Sequence, residues 1–481
     1  MRECGNLIMV RIIPLSAFAV IAFGAVCGTG ITLDVTSVGR SSLFSVPDRL
    51  VLTSIDSIKS AAGSLANQLA ADYYYTAIAT GRTLGTLPDG YNWWEGGAVF
   101  DTLIQYAHLT GDTQYNSIVS HGLLAQVGNN NDFAPLNQSA IEANDDQATW
   151  ALAAMSAAEA QLTNRTEAGI EADQWLVLAE KVFNILVQRW DNSTCSGGLR
   201  WQIYSFSQGY DYKNTATNAH FFQLASRLAR YTGNSTYSNW ATSAYDWTKS
   251  IGLVDSKFNV YDGSLIKNNV CLDISKVQYS HSAGSLISGV AHMYNITSSP
   301  KWKTELDGLL NRTLSVFFVN GTKAATEVSC ESTSKGCTVD EMAYKGLLGH
   351  WLADTMQMAP YTNATISPLF TTTAQAAAAA CNSTGCSEFW DGNHTGFDGN
   401  VTGTIGATLD ALSFVQGLLW KDSGVTGLPA TVNGTATLPV VNTTSTASPT
   451  ATTTKKSGAV STRAVTGLFI GVIGSMMWVM L

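Results

Sequence analysis

Two neighbouring carboxylates, Asp145 and Asp146, stand inside Asn137–Trp150, a stretch with neither Gly nor Pro. Ser139 followed by Glu142 reads as a capping box, so a helix is expected to start at Ser139. Ile141, Ala148, Leu152 and Met155 recur at helical spacing and define one inward face, and Asp145 falls on that face. A carboxylate where packing favours hydrocarbon needs a partner, a shifted pKa or a chemical task. Asp146 can lean over the same cleft with the two carboxyl groups roughly 5 Å apart, the spacing of a retaining glycosidase. Like charges that close push their titrations apart, leaving one ionised as a nucleophile and the other protonated as an acid. The plainer alternative is a buried carboxylate capping a nearby loop beside a solvated one.

Further chemistry sits in segments that mix aromatic faces with amides and acids. These are Asn92–Glu95 with Trp93 and Trp94, Asn129–Phe133 with Asn130 and Asp132, Leu199–Gln202 with Trp201, Tyr210–Asn214 with Lys213 and Asn214, Tyr261–Gly263 with Asp262, and Gln278–Tyr279. Sugar rings stack their C–H faces on aromatic side chains while their hydroxyls bond to amides and carboxylates, so this composition suits a carbohydrate cleft. A tryptophan-rich core with polar loops is the structural alternative for any one of them.

These loops must be held by helices. Amphipathic runs of helical length are expected near 53–80, 95–109, 112–127, 139–161, 168–189, 215–232, 235–251, 278–295, 301–318, 338–358, 366–380 and 404–420, and strand-like alternation is hard to find. Tyr106–Tyr115 and Leu228–Tyr237 repeat one pattern: a helix end, a Thr-Gly turn, an Asx cap and a Tyr in the next helix. Met293–Trp302 is a degenerate third copy with Pro300 in the first turn of the following helix. Six αα-hairpins closing on themselves make an (α/α)6 barrel, an all-α fold, whereas six stacked openly make a solenoid. The uneven inserts between hairpins favour the closed form, with loops gathered around one cleft.

The two ends read as targeting segments. Residues 1–30 carry Arg2 and Arg11 ahead of a short apolar run and a small-residue zone, the pattern of a signal peptide. Residues 31–426 are expected to form the barrel and 427–457 a Ser/Thr-rich stalk. Residues 458–481 read as a glycosylphosphatidylinositol (GPI) attachment signal that is removed, with Ser457 as anchor site. A plain C-terminal membrane helix is the alternative. Thirteen Asn-x-Ser/Thr sequons agree with a secreted, glycosylated surface. Charged residues make up 13% of the chain, the net charge is −9 and no basic patch occurs, which argues against a nucleic-acid partner. No zinc-type spacing and no G-x-S-x-G elbow is present, and neither metal nor cofactor is expected. Beyond the leader lie six cysteines, which allow fifteen pairings. The local pairs Cys330–Cys337 and Cys381–Cys386 are the economical choice and leave Cys195 with Cys271.

Tyr91–Gly97, Asn130–Phe133, Asn144–Gln147, Gly197–Gln202, Tyr212–Asn214 and Tyr231–Gly233, taken in order, resemble glycoside hydrolase family 76, and in particular its fungal GPI-anchored cell-wall members. The resemblance spans about residues 55–420, and its most specific element is the Asp-Asp pair within Asn144-Asp-Asp-Gln147. It implies an (α/α)6 barrel, action on α-1,6-linked mannose with retention of configuration, Asp145 as nucleophile and Asp146 as general acid/base. By the same analogy Trp93, Trp94, Asn130, Asp132, Trp201, Lys213, Asn214 and Asp262 are subsite candidates. The expected partners are α-1,6-mannan or the mannose core of a GPI glycan, with a wall β-glucan as acceptor if the enzyme is a transglycosidase. The protein itself is expected to be a monomer at the cell surface or wall. The competing readings are a catalytically idle mannan-binding protein on the same barrel, a structural glycoprotein with no sugar site, and an inverting mechanism through Asp262 or Glu341.

Overall fold

The computed structural model describes residues 54–163, 174–318, 323–333, 336–382, 385–390 and 404–421. The signal peptide, stalk and anchor expected at the two ends lie outside the described residues. Within them run twelve α-helices: α1 Ile55–Thr80, α2 Trp93–Thr110, α3 Asn116–Ala125, α4 Asn144–Glu159, α5 Gln174–Gln188, α6 Thr215–Thr232, α7 Ser235–Ser250, α8 Ser280–Thr297, α9 Pro300–Phe317, α10 Tyr344–Met358, α11 Asn363–Ala379 and α12 Ile405–Gly417. The even-numbered helices pack in order, α2 on α4, α4 on α6, α6 on α8, α8 on α10 and α10 on α12, and α12 returns to α2. Around this closed ring lie the others: α1 and α11 against α12, α3 against α2, α5 against α4, α7 against α6 and α9 against α8. The chain is therefore an (α/α)6 barrel and not a solenoid.

Side-chain size explains which helices go inside. Every residue of α12 is buried, and α4 is packed with alanines that let neighbouring helices approach from several sides. An outer helix buries one stripe only: α9 turns Trp302, Leu306, Leu309, Leu310, Thr313, Leu314 and Phe317 inward, the spacing of a single amphipathic face. The hairpin turns close as the repeats imply. Gly111 and Gly233 end α2 and α6 with φ of 78° and 70°, a left-handed conformation that glycine adopts without strain. Asn234 caps α7 through Thr236, and Pro300 opens α9.

The structure corrects the sequence reading in two places. α4 starts at Asn144, not Ser139, because the Ser139 hydroxyl donates to the Leu136 carbonyl and the capping box does not form. Ile141 is consequently exposed while Glu142 is buried, so the inward face begins later than the spacing implied. The helical reading also passed over a three-stranded antiparallel sheet, β1 Tyr212–Asn214, β2 Gly263–Lys267 and β3 Val270–Ser275. A two-stranded ribbon joins β4 Cys381–Asn382 to β5 Gly385–Cys386. The disulfides are Cys195–Cys271, Cys330–Cys337 and Cys381–Cys386, as the economical pairing has it. The first ties the loop ahead of β1 to β3.

Candidate active site

The first residues of the six inner helices meet at one end of the barrel. Tyr91, just before α2, accepts at its hydroxyl from the Ile405 amide that opens α12. Trp94 of α2 donates its indole N–H to Asp340 Oδ1 ahead of α10 at 2.8 Å, and Asn92 donates to the same oxygen at 2.6 Å. Tyr279, before α8, meets Tyr344 of α10 edge to face at 5.5 Å. Asn214, the cap of α6, donates from Nδ2 to Asp145 Oδ2 of α4 at 2.7 Å. Six helix N-termini thus face one mouth, and their partial positive charge favours anionic groups there.

Asp145 and Asp146 sit half-buried in the first turn of α4. The Asp146 amide donates to Asp145 Oδ1 at 3.1 Å, and the Ala143 amide donates to Asp146 Oδ2 at 2.8 Å, which supplies this helix with a cap although Ala143 has no acceptor of its own. The start of α4 is pinned by its neighbours. Asn144 donates its amide to Trp201 O and its Nδ2 to Arg200 O, while Arg189 donates to Asn144 Oδ1 and Gln147 Oε1.

The two carboxyls titrate differently because their surroundings differ. Burial raises Asp145, and the Asn214 amide with two backbone N–H groups pulls it back toward the ionised form. Burial raises Asp146 much further, helped by the charge of Asp145, with only the Ala143 amide opposing among its hydrogen bonds. Among the described residues no cation pairs with either group. Asp340 adds a third negative charge that lifts both. The pair is thereby set to hold Asp145 as carboxylate and Asp146 as acid over one pH range. That is the division of labour needed to attack an acetal carbon while protonating its leaving oxygen.

The remaining candidates divide between site and scaffold. Trp201 is exposed at the rim, its ring lying over Gly209, where a Cβ would come within 2.5 Å of it. Asn214 and Trp94 belong to the mouth. Asn130 is exposed on the loop before α4, and Asp132 beside it is buried, its carbonyl accepting from Gln147 at 2.7 Å. Asp262 accepts the Tyr212 hydroxyl at 2.7 Å and lies just ahead of β2. Two assignments are corrected. Trp93 is a core residue, stacked on Trp150 at 5.3 Å with its N–H on Gln126. Lys213 is fully buried, donating to the carbonyls of Asp191, Thr194 and Gly197, and fastens the loop ahead of β1. Glu341, the alternative inverting carboxylate, is occupied by Thr338 and Ser329. Sequence reasoning missed Asp340 and Tyr344; the acidic pair Asp340-Glu341, between Cys337 and α10, was the available signal for the first.

Residues 57–429 match the family model of glycosyl hydrolase family 76. A putative mannan endo-1,6-alpha-mannosidase of Schizosaccharomyces pombe is 41% identical over 371 residues, which cover 76% of this chain and 82% of that protein. The mannan endo-1,6-alpha-mannosidase DCW1 of Saccharomyces cerevisiae is 40% identical over 312 residues, 64% of this chain and 68% of that one. Among solved structures, Dfg5 from Chaetomium thermophilum in complex with glucosamine is 37% identical with a TM-score of 0.72, covering 78% of this chain and 92% of that one.

Proposed function

The chain belongs to glycosyl hydrolase family 76, and from that premise we propose that Asp145 is the nucleophile and Asp146 the general acid/base of a retaining, endo-acting α-1,6-mannosidase. The observation that carries this reading is the adjacent pair whose surroundings push both carboxyls toward the neutral form, Asp146 much further than Asp145, whose ionised form the Asn214 amide supports. In the first step Asp145 Oδ attacks the anomeric carbon, the glycosidic C–O bond breaks, and the Asp146 proton passes to the leaving oxygen, giving a mannosyl ester. Forming that ester removes the charge on Asp145, which had been raising Asp146, so Asp146 becomes the stronger acid. The carboxylate it leaves behind is then placed to take the proton of an incoming hydroxyl, which attacks the anomeric carbon and releases Asp145. Asn214 holds the nucleophile oxygen in place. The exposed face of Trp201, and Trp94 held by Asp340, suit stacking against sugar rings on either side of the pair.

The relatives are named mannan endo-1,6-alpha-mannosidases, and α-1,6-mannan is the substrate class assigned here. The acceptor decides the reaction class. With water the enzyme hydrolyses mannan; with a β-glucan hydroxyl it transfers a mannan-bearing or GPI-bearing protein to the wall. We assign it the transferase role, as a monomer anchored at Ser457 on the cell surface, on the strength of the C-terminal sequence and the motif resemblance to the family's fungal cell-wall members. The test is to incubate the soluble barrel, and its Asp145→Asn variant, with α-1,6-mannooligosaccharides with and without β-glucan, and to weigh the products. Shortened mannan that depends on Asp145 supports the glycosidase, and hybrid glycans support transfer. Binding with no turnover leaves the mannan-binding reading.

A further inference from the structure

The inner helices close in the order α2, α4, α6, α8, α10 and α12, so α10 stands across the mouth from α4. Asp340, just ahead of α10, and Tyr344, its first residue, form the wall opposite Asp145 and Asp146. The charge of Asp340 reaches both aspartates, so the two walls face each other within the short range over which a charge acts. Asp340 is half-buried and uses one oxygen only: Trp94 and Asn92 both donate to Oδ1, at 2.8 and 2.6 Å. Among the described residues no group donates to Oδ2 and no cation pairs with it. A carboxylate accepts on both oxygens, so Oδ2 is open to a donor from outside the chain. The Tyr344 hydroxyl likewise has no partner among the described residues. Its ring is held by His281 at 3.8 Å, Tyr279 at 5.5 Å and Trp94 at 6.1 Å. Burial raises the pKa of that hydroxyl, and so do the charges of Asp340 and Asp145, which places it between the two walls.

A pyranose whose C1 lies at Asp145 turns the far edge of its ring, C3 and C4, toward α10. That edge carries two hydroxyls, and the wall it meets offers a carboxylate oxygen and a phenol, which suit them as acceptor and donor. An α-1,6 linkage uses C1 and C6, so both of these hydroxyls are free in each mannose of the chain. We propose that Asp340, with Tyr344 beside it, binds the C3–C4 hydroxyl edge of the mannose being cut, and thereby selects residues that carry no branch on that edge. The inference rests on the glycosidase reading above, with Asp145 as the group at C1. A substituent on O3 or O4 removes a donor and leaves Asp340 Oδ2 covered and unpaired, which costs more than the loss of one contact.

The test uses the full chain, purified in detergent, with a dinitrophenyl α-1,6-mannobioside and two analogues lacking O3 or O4 on the mannose that bears the leaving group. Asp340→Asn is the informative variant, because its amide oxygen still accepts from Trp94 and Asn92 while an NH2 replaces the open oxygen. The parent is expected to lose on the order of 10²-fold in kcat/KM on at least one analogue. Asp340→Asn should lose a comparable factor on the intact substrate, with little further loss on that analogue. Tyr344→Phe, which removes a hydroxyl and none of the ring, should blunt the same discrimination by about ten-fold. If Asp340 acts only by holding Trp94 and Asn92, all three substrates fall alike and the discrimination survives. That result overturns the proposal, as does a parent that accepts both analogues as well as the intact substrate. Asp145→Asn separates the two readings. Turnover that survives it removes Asp145 from C1 and fells both, whereas turnover lost in it beside undiminished discrimination in Asp340→Asn overturns the hydroxyl edge alone.

Discussion

Helix α4 carries Asp145 and Asp146 in its first turn and ends with Glu159, and the two ends treat their carboxylates in opposite ways. At the mouth the aspartates have each other, a few amides and Asp340 for company, and both are pushed toward the neutral form. At the deep end Glu159 takes a 2.6 Å ion pair from Arg227, with Ser156 on the same guanidinium, and Asp354 meets His292 at 3.1 Å and is held well below the usual carboxylate range. Burial is comparable or deeper at the closed end, so burial does not mark the chemistry. What marks it is the missing cation among the described residues: paired charges tie α4 to α6 and α8 to α10, and unpaired ones are left free to exchange protons.

Several substitutions would break or sharpen that contrast. The largest effect is expected at the mouth, where Asp145→Asn should lower turnover of α-1,6-mannooligosaccharides on the order of 10³-fold or more while the circular dichroism stays the same. At the deep end Arg227→Met strands the Glu159 charge and should cost about 3–5 kcal/mol in urea unfolding. A double variant with Glu159→Leu should recover much of that loss.

The sign reverses at the mouth. A carboxyl whose folded pKa is raised costs stability as pH rises above its unfolded value, so removing its charge returns that stability. Asp146→Asn should therefore stabilise the barrel by roughly 1–2 kcal/mol at pH 7, an effect that vanishes near pH 3. The smallest effect is kinetic. Activity should fall as pH drops through about 6, where Asp145 takes up a proton. Asn214→Ala removes a bond that favours the carboxylate and should move that acidic limb upward by about half a pH unit. An unmoved limb would detach Asn214 from the titration.

Much of the barrel was readable because helices declare themselves by period and punctuation. The Thr-Gly turns placed the α2–α3 and α6–α7 hairpins, and the six cysteines paired as economy suggested. Asp145 and Asp146, the proposed catalytic pair, stood out as charges on an apolar helix. What failed was local geometry that period cannot give. Lys213 and Asn214 looked alike in sequence, yet they sit in β1, where successive side chains point to opposite faces, so one enters the loop at Asp191–Gly197 and the other reaches Asp145. Trp93 and Trp94 part for a similar reason, being about 100° apart on the first turn of α2, one turned to Trp150 and one to Asp340. Asp340 reaches the cleft through the packing of α10 beside α8 and α12, so the acidic pair at 340–341 shows a charge in sequence but not its place.

Azide rescue separates attack by Asp145 from proton transfer by Asp146. An α-1,6-mannobioside with a dinitrophenyl leaving group needs no acid for its departure. With Asp146→Ala, azide should restore turnover and give the α-mannosyl azide, because the ester on Asp145 still forms and is then opened from the opposite face. With Asp145→Ala, any rescued product should be the β-azide. The α-azide from Asp145→Ala together with the β-azide from Asp146→Ala would reverse the two roles, and no rescue of either variant, with full activity retained in both, would remove the pair from the chemistry.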